Sequence, residues 1–206
     1  MWWNTPWTPR KLFSMIIGLT GSIAVGKSKV LEILKDLSYK TVNMDDISHE
    51  VLNYDDIRSK IASMISADVV INNKVDRKKL SSIVFSDKKK LEILNNIVHG
   101  KIIEEMINII NNNKEEILII EVPLLFELNL EKYFDKIIVV YTNKDLQCER
   151  IMKRNNIDKE HAKKLISTQM DIDEKRKKTK YIIENEKDIK SLIENTKRIM
   201  DAIIKD

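Results

Sequence analysis

From residue 15 onward, short runs of β-branched and aliphatic residues alternate with longer stretches in which apolar positions recur at helical spacing. Residues 15–20, MIIGLT, form a continuous apolar run, the pattern of a strand buried on both faces of a parallel sheet. Val30, Leu31, Leu34 and Leu37 then fall on one face of a helix over residues 27–37. Further buried strands are expected at residues 40–43, 117–122, 136–142 and 181–183. Strands alternating with helices are the signature of βαβ units, so the expected fold class is α/β: a three-layer arrangement around a parallel five-stranded sheet. Two long polar and helical stretches interrupt the alternation. One covers about residues 47–113, with a short hairpin or loop near 67–74, and the other covers about 144–180.

Composition narrows this picture. The first fourteen residues, MWWNTPWTPRKLFS, carry all three Trp and two of the three Pro, and lack the apolar core of a secretory signal. They are expected to be a non-native or extension segment, with the domain running over residues 15–206. No apolar run approaches the length of a membrane span, and the one cysteine, Cys148, suits a reducing, cytoplasmic setting. The 36 basic and 32 acidic residues are interleaved along polar helix faces, so the net charge of +4 points to no nucleic-acid partner. A monomer or weak oligomer acting on a small molecule is expected.

Glycine placement is more informative. Of only four glycines, Gly18, Gly21 and Gly26 lie within nine residues, at the junction of the first strand and first helix. Gly21-Ser22-Ile23-Ala24-Val25-Gly26-Lys27-Ser28 fits G-x-x-x-x-G-K-[ST], a loop whose backbone N–H groups surround nucleotide phosphates. In that arrangement Lys27 reaches the β- and γ-phosphates of ATP and the Ser28 hydroxyl coordinates Mg²⁺. Lys29 adds positive charge next to the loop. A GTPase is excluded: the switch glycine at Gly100 would need Asp at position 97, which is Ile97, and Asn143-Lys144-Asp145 is one residue short of the guanine-reading N-K-x-D. That tripeptide reads as a loop and helix cap. The loop motif alone leaves open a small-molecule kinase, another nucleotide kinase, or a regulatory P-loop ATPase without a small acceptor.

Several further segments occur in one order: VNMDDISHEV, DRKKLSSIVF, the IVH segment ending at His99, IIEVPLLFE, KIIVVYTNKDLQCERIMKRN, STQM, and an EKR segment followed by IIEN. With IIGLTGSIAVGKS ahead of them, the chain from Met15 resembles the dephospho-coenzyme A kinase family. The resemblance implies a nucleoside-monophosphate-kinase-like P-loop fold, with an acceptor-binding region near 47–113 and a lid near 144–180. It also implies transfer of the ATP γ-phosphate to the ribose 3′-hydroxyl of dephospho-coenzyme A. Asp45 matches the final Asp of the family's D-x-D signature, with Asn43 in place of the first, and is expected to bind the acceptor and handle its hydroxyl proton. The competing reading is a helix cap. Arg77, Lys78, His99, Pro123, Leu124 and Arg176 are expected at the acceptor; the alternatives are a solvated surface face for Arg77 and Lys78, a structural role for His99, where Gly100 replaces the Pro that follows the family's His, and packing for Pro123 and Leu124. Arg150, Arg154 and Arg176 fall in the lid, where a planar guanidinium suits phosphate; surface ion pairs are the alternative. Arg150 joins Asp45 and Lys27 in the expected catalytic set. Glu121 is a candidate for holding Mg²⁺ through water, and Gln169 is expected to be structural or to face the acceptor.

Overall fold

The computed structural model describes residues 14–206. The expected extension at residues 1–14 therefore lies, except for Ser14, outside the described residues. The strands are β1 (Met15–Thr20), β2 (Lys40–Asn43), β3 (Val70–Ile71), β4 (Lys74–Val75), β5 (Ile117–Glu121), β6 (Lys136–Tyr141) and β7 (Tyr181–Glu184). The helices are α1 (Lys27–Asp36), α2 (Met44–Val51), α3 (Asp55–Met64), α4 (Arg77–Ser86), α5 (Lys88–Asn111), α6 (Lys144–Asn155), α7 (Lys159–Ile166), α8 (Ile172–Arg176) and α9 (Ile189–Ile204). The chain divides into two compact units, residues 44–112 and the remainder.

The first unit holds the sheet, in the order β2-β5-β1-β6-β7 with every pairing parallel. The central strands are buried on both faces, through Ile16, Ile17 and Leu19, Leu118 to Ile120, and Ile138 to Val140. That double burial is why they read as unbroken apolar runs. Helix α1 packs beside β2 and α9, and α9 packs on β7. In strand order the chain leaves β1 toward β2 and leaves β5 toward β6, in opposite directions along the sheet, so β1 and β5 flank a topological switch point, where sheets of this kind bind ligands at the strands' carboxyl ends. At the edge of this unit α6 and α7 enclose a small apolar cluster, Cys148, Ile151 and Ala162, against which Ile23 and Ala24 pack.

The second unit has its own core, in which Val51, Ile57, Ile61, Leu80 and Val98 meet. Its hairpin β3–β4 turns through Asn72 and Asn73, with φ of 50° and 61°. Asn is one of the few residues that enter this left-handed region readily, and a two-residue turn of this hand matches the twist of the strands. Helix α5 runs unbroken through His99 and Gly100. No helix among the described residues is long and apolar enough to cross a membrane.

Candidate active site

The carboxyl end of β1 passes into the loop Gly21 to Ser28 and then into α1. Backbone geometry fixes its glycines. Gly26 has φ of +95°, and a Cβ there would run into Nδ2 of Asn185. At Gly21 a Cβ would lie 2.6 Å from the Val140 carbonyl oxygen and 2.8 Å from a methyl of Val25. Ala24 takes φ of 60° without being glycine. Gly26 also precedes the first turn of α1, which carries no acidic side chain and no side-chain cap. The partial positive charge of that helix end is left for an anion.

The loop's carbonyls point to protein donors. Lys27 Nζ donates to the Ser22 carbonyl at 3.1 Å. The Gln147 side-chain amide on α6 donates to Ser22 Oγ at 3.0 Å and to the Ile23 carbonyl at 2.8 Å. Asn185, just after β7, donates from Nδ2 to the Val25 carbonyl at 2.8 Å. Asn185 is itself fixed, because its N–H donates to the Tyr141 carbonyl at 2.8 Å and its carbonyl accepts from Arg150 Nη2 at 2.9 Å. The other terminal nitrogen of Arg150, Nη1, is buried with no hydrogen-bond partner among the described residues.

Glu121 ends β5, 2% exposed, in register with Leu19 of β1 on one side and Asn43 of β2 on the other. Beyond it, the Pro123 carbonyl accepts from Lys175 Nζ at 2.8 Å and from Thr20 Oγ1 at 3.4 Å, and Leu124 follows, half-buried. Lys175 is wholly buried and pairs with Glu127 at 2.9 Å. Glu127 also accepts from the Met170 N–H at 2.9 Å. Burial pushes the Lys175 ammonium below its ordinary range, against the pull of Glu127 in the other direction.

The remaining expected residues are placed differently from one another. Exposed Lys29 pairs with Glu32 along α1 at 2.6 Å, and this hydrogen bond raises the Lys29 pKa. Exposed Arg154 donates to its neighbour Asn155 at 3.0 Å, whereas Arg150 four residues earlier turns inward to Asn185. Among the described residues neither arginine forms an ion pair with Glu149 or Asp158, the acidic neighbours that would make the surface-ion-pair alternative. Arg176 does form an ion pair, with Glu184 at 3.0 Å, and stacks 4.4 Å over the Tyr141 ring. Asn143 caps α6 by accepting from the Leu146 N–H at 2.9 Å, as expected for a loop and cap. Gln169 Oε1 is buried without a hydrogen bond among the described residues.

Asp45, Arg77, Lys78 and His99 all belong to the second unit. Asp45 is exposed in the first turn of α2, two residues past the end of β2. Arg77 opens α4, where it donates to the His49 ring at 2.6 Å, and Lys78 is exposed beside it. His99 is half-buried in α5, and burial lowers its pKa, favouring the neutral ring.

Gln147, Asn185, Glu127 and Lys175 were not singled out as a connected set by sequence reasoning. Each partner lies tens of residues away along the chain, and local pattern does not register such pairs. The available signal was polarity at positions that helix and strand periodicity marks as interior.

The donor set also bears on a metal. Ser28 stands exposed in the first turn of α1, and no cluster of three His, Cys, Asp or Glu side chains capable of holding a metal exists among the described residues. Mg²⁺ keeps several waters and is held largely through substrate phosphates, and the exposed Ser28 hydroxyl supplies an oxygen donor of the kind it takes.

The comparisons with known proteins agree with this architecture. The model of the family described as CoaE: Dephospho-CoA kinase matches residues 15–191. A dephospho-CoA kinase of Fusobacterium nucleatum is 37% identical over 190 residues, which cover 92% of this chain and 98% of the relative. One from Listeria innocua is 36% identical over 174 residues, 82% of this chain and 87% of the relative. Among solved structures, a dephospho-CoA kinase from Campylobacter jejuni aligns with a TM-score of 0.67 and 34% identity, covering 92% of this chain and 97% of its own. The protein TT1252 from Thermus thermophilus aligns with a TM-score of 0.79 and 25% identity over 93% and 98%. A shikimate kinase from Acinetobacter baumannii, 12% identical with a TM-score of 0.57, shares the fold. A P-loop at the carboxyl end of β1 in a 2-5-1-6-7 parallel sheet, carried on a sequence matched over nearly its whole length, places this chain in the dephospho-CoA kinase family.

Proposed function

We propose that the protein transfers the γ-phosphate of ATP to the ribose 3′-hydroxyl of dephospho-coenzyme A, in the cytoplasm. The observation that carries this reading is the match to dephospho-CoA kinases across both units, joined to a phosphate loop with the required backbone geometry. In the reaction the 3′-oxygen attacks the γ-phosphorus, the bond to the β–γ bridging oxygen breaks, and ADP leaves. Lys27 meets the β- and γ-phosphates, and Arg150, with its second guanidinium nitrogen unengaged, adds positive charge as negative charge builds on the transferring group. The N–H groups from Gly21 to Gly26 hold the phosphates, Ser28 holds Mg²⁺, and Lys29 and Arg154 contribute long-range positive charge. When bound, Mg²⁺ supplies charge neutralisation between the phosphates. Asp45 orients the hydroxyl and accepts its proton. Arg77, Lys78, His99, Pro123, Leu124 and Arg176 bind the acceptor; for Arg176 this requires release of Glu184.

The test is purified protein with ATP, Mg²⁺ and a panel of acceptors. ADP formation above the no-acceptor rate is expected with dephospho-coenzyme A, and loss of that rate by at least about 100-fold in Asp45→Asn with ATP affinity unchanged. Turnover with a nucleoside monophosphate but not with dephospho-coenzyme A would instead indicate another small-molecule kinase. Hydrolysis without an acceptor, stimulated by RNA, would indicate a P-loop ATPase.

A further inference from the structure

A phosphate loop works only while its N–H groups converge and its carbonyls point elsewhere, because a single flipped peptide would set a carbonyl dipole against the anion. In this chain the carbonyls of Ile23 and Val25, either side of the left-handed Ala24, are held by two neutral side-chain amides from distant elements. Gln147 is fully buried and Asn185 is 9% exposed, so no water competes well for these bonds. A non-glycine residue at φ of 60° persists where its surroundings over-determine it, and these two bonds flank it. The Asn185 amide also occupies the space that a Cβ at position 26 would need, so it and Gly26 form a matched pair. Asn185 in turn is fixed through Tyr141 and Arg150.

We propose that Gln147 and Asn185 are positioning residues of the phosphate loop: their amide donors lock the Ile23 and Val25 carbonyls outward and so aim the loop's N–H groups at the phosphates of ATP. The inference rests on the ATP-binding role proposed above. It predicts a loss confined to phosphate recognition. Gln147→Glu and Asn185→Asp keep shape and remove the donor, which sets a carboxylate against a carbonyl oxygen.

At pH 8 each variant is expected to raise the ATP KM, and the inhibition constant of inorganic tripolyphosphate, at least tenfold, with the KM for dephospho-coenzyme A within twofold. For Asn185→Asp the defect relative to wild type at the same pH should shrink several-fold at pH 5.5, because a protonated carboxyl donates again to the Val25 carbonyl. The uncharged Asn185→Leu separates loss of the donor from the added charge: it is expected to show the same ATP and tripolyphosphate defect, equal at both pH values. Near-UV circular dichroism checks folding; if a variant does not fold, Asn185→Ser or Gln147→Met takes its place under the same thresholds.

Folded variants that bind ATP and tripolyphosphate within twofold of wild type overturn the inference, as does an Asn185→Asp defect that ignores pH. Failure of the wild-type protein to bind ATP would instead overturn the functional reading on which it rests.

Discussion

Gly21, Gly26 and Gly100 show how different the demands on one residue type are. Gly26 is required by a φ of +95° and by the Asn185 amide beside it, whereas a Cβ on Gly100 would meet nothing within 4 Å. Gly100 lies in the middle of the 24-residue helix α5, exposed and helical. There glycine only adds conformational freedom to the unfolded chain. Gly100→Ala is therefore expected to stabilise the protein by about 0.5–1 kcal/mol, seen as a higher melting temperature by circular dichroism. An unchanged or lowered value would mean that the site needs glycine for another reason. At this scale the phosphate loop was legible because its chemistry is local: eight consecutive residues carry the turn, the lysine and the hydroxyl. The amides that brace it were not, since Gln147 and Asn185 lie 124 and 160 residues from the carbonyls they hold. Likewise, nothing in the sequence distinguishes Arg150, turned inward to Asn185, from Arg154 one helical turn on, which stays in solvent.

At the scale of elements, all five strands of the main sheet were legible to within one residue; for β1, β5 and β6 the reason is that double burial leaves no polar alternation to confuse the run, whereas the edge strands β2 and β7 are only partly buried. What the pattern missed is how the short helix α8 is tied to the segment after β5. Wholly buried Lys175 reaches across to Glu127 and the Pro123 carbonyl, an interior position filled by a residue type that reads as surface. Removing one partner of a buried pair leaves the other charge uncompensated. Glu127→Gln keeps an acceptor carbonyl, so its cost should fall near the lower end of the usual range, about 3 kcal/mol. The double variant with Lys175→Met should recover at least about 1 kcal/mol of that loss. Because burial lowers the Lys175 pKa, the folded state releases this proton more readily than the unfolded chain, and stability gains as pH rises through the lowered folded value toward the unfolded value near 10.5. Loss of Glu127 lowers the folded value further. The cost of Glu127→Gln should thus shrink between pH 7 and pH 10 in urea titrations; a pH-independent cost would show that the pair is not carrying charge.

For the molecule as a whole, two units with separate cores mean that stability has two sources, and substitutions report on the unit they occupy. The first unit is fastened at Asp206, beyond α9. Its carboxylate meets Lys136 of β6, Lys180 at 2.7 Å and the Tyr181 hydroxyl of β7 at 2.5 Å. The hydrogen bond from Lys136, then those from Lys180 and Tyr181, hold the Asp206 carboxyl well below the usual carboxylate range, and both lysines are raised in turn. A depressed acid contributes its stability in full above its unfolded value near pH 4 and loses it as pH falls through the folded value. The lysines' share is complete below their unfolded value near pH 10.5 and disappears above it as pH rises through their raised folded values. Asp206→Asn is accordingly expected to lower the melting temperature by a constant amount from pH 5 to pH 9, with the gap to wild type closing toward pH 2. Because the Asp206 carboxylate and both lysines reach solvent, the gap should also narrow in 1 M salt. Gly100→Ala, in the other unit and without charge, should shift melting equally at every pH and salt concentration. If the two substitutions responded alike to acid, the pH dependence would belong to the rest of the molecule and not to the contacts at Asp206.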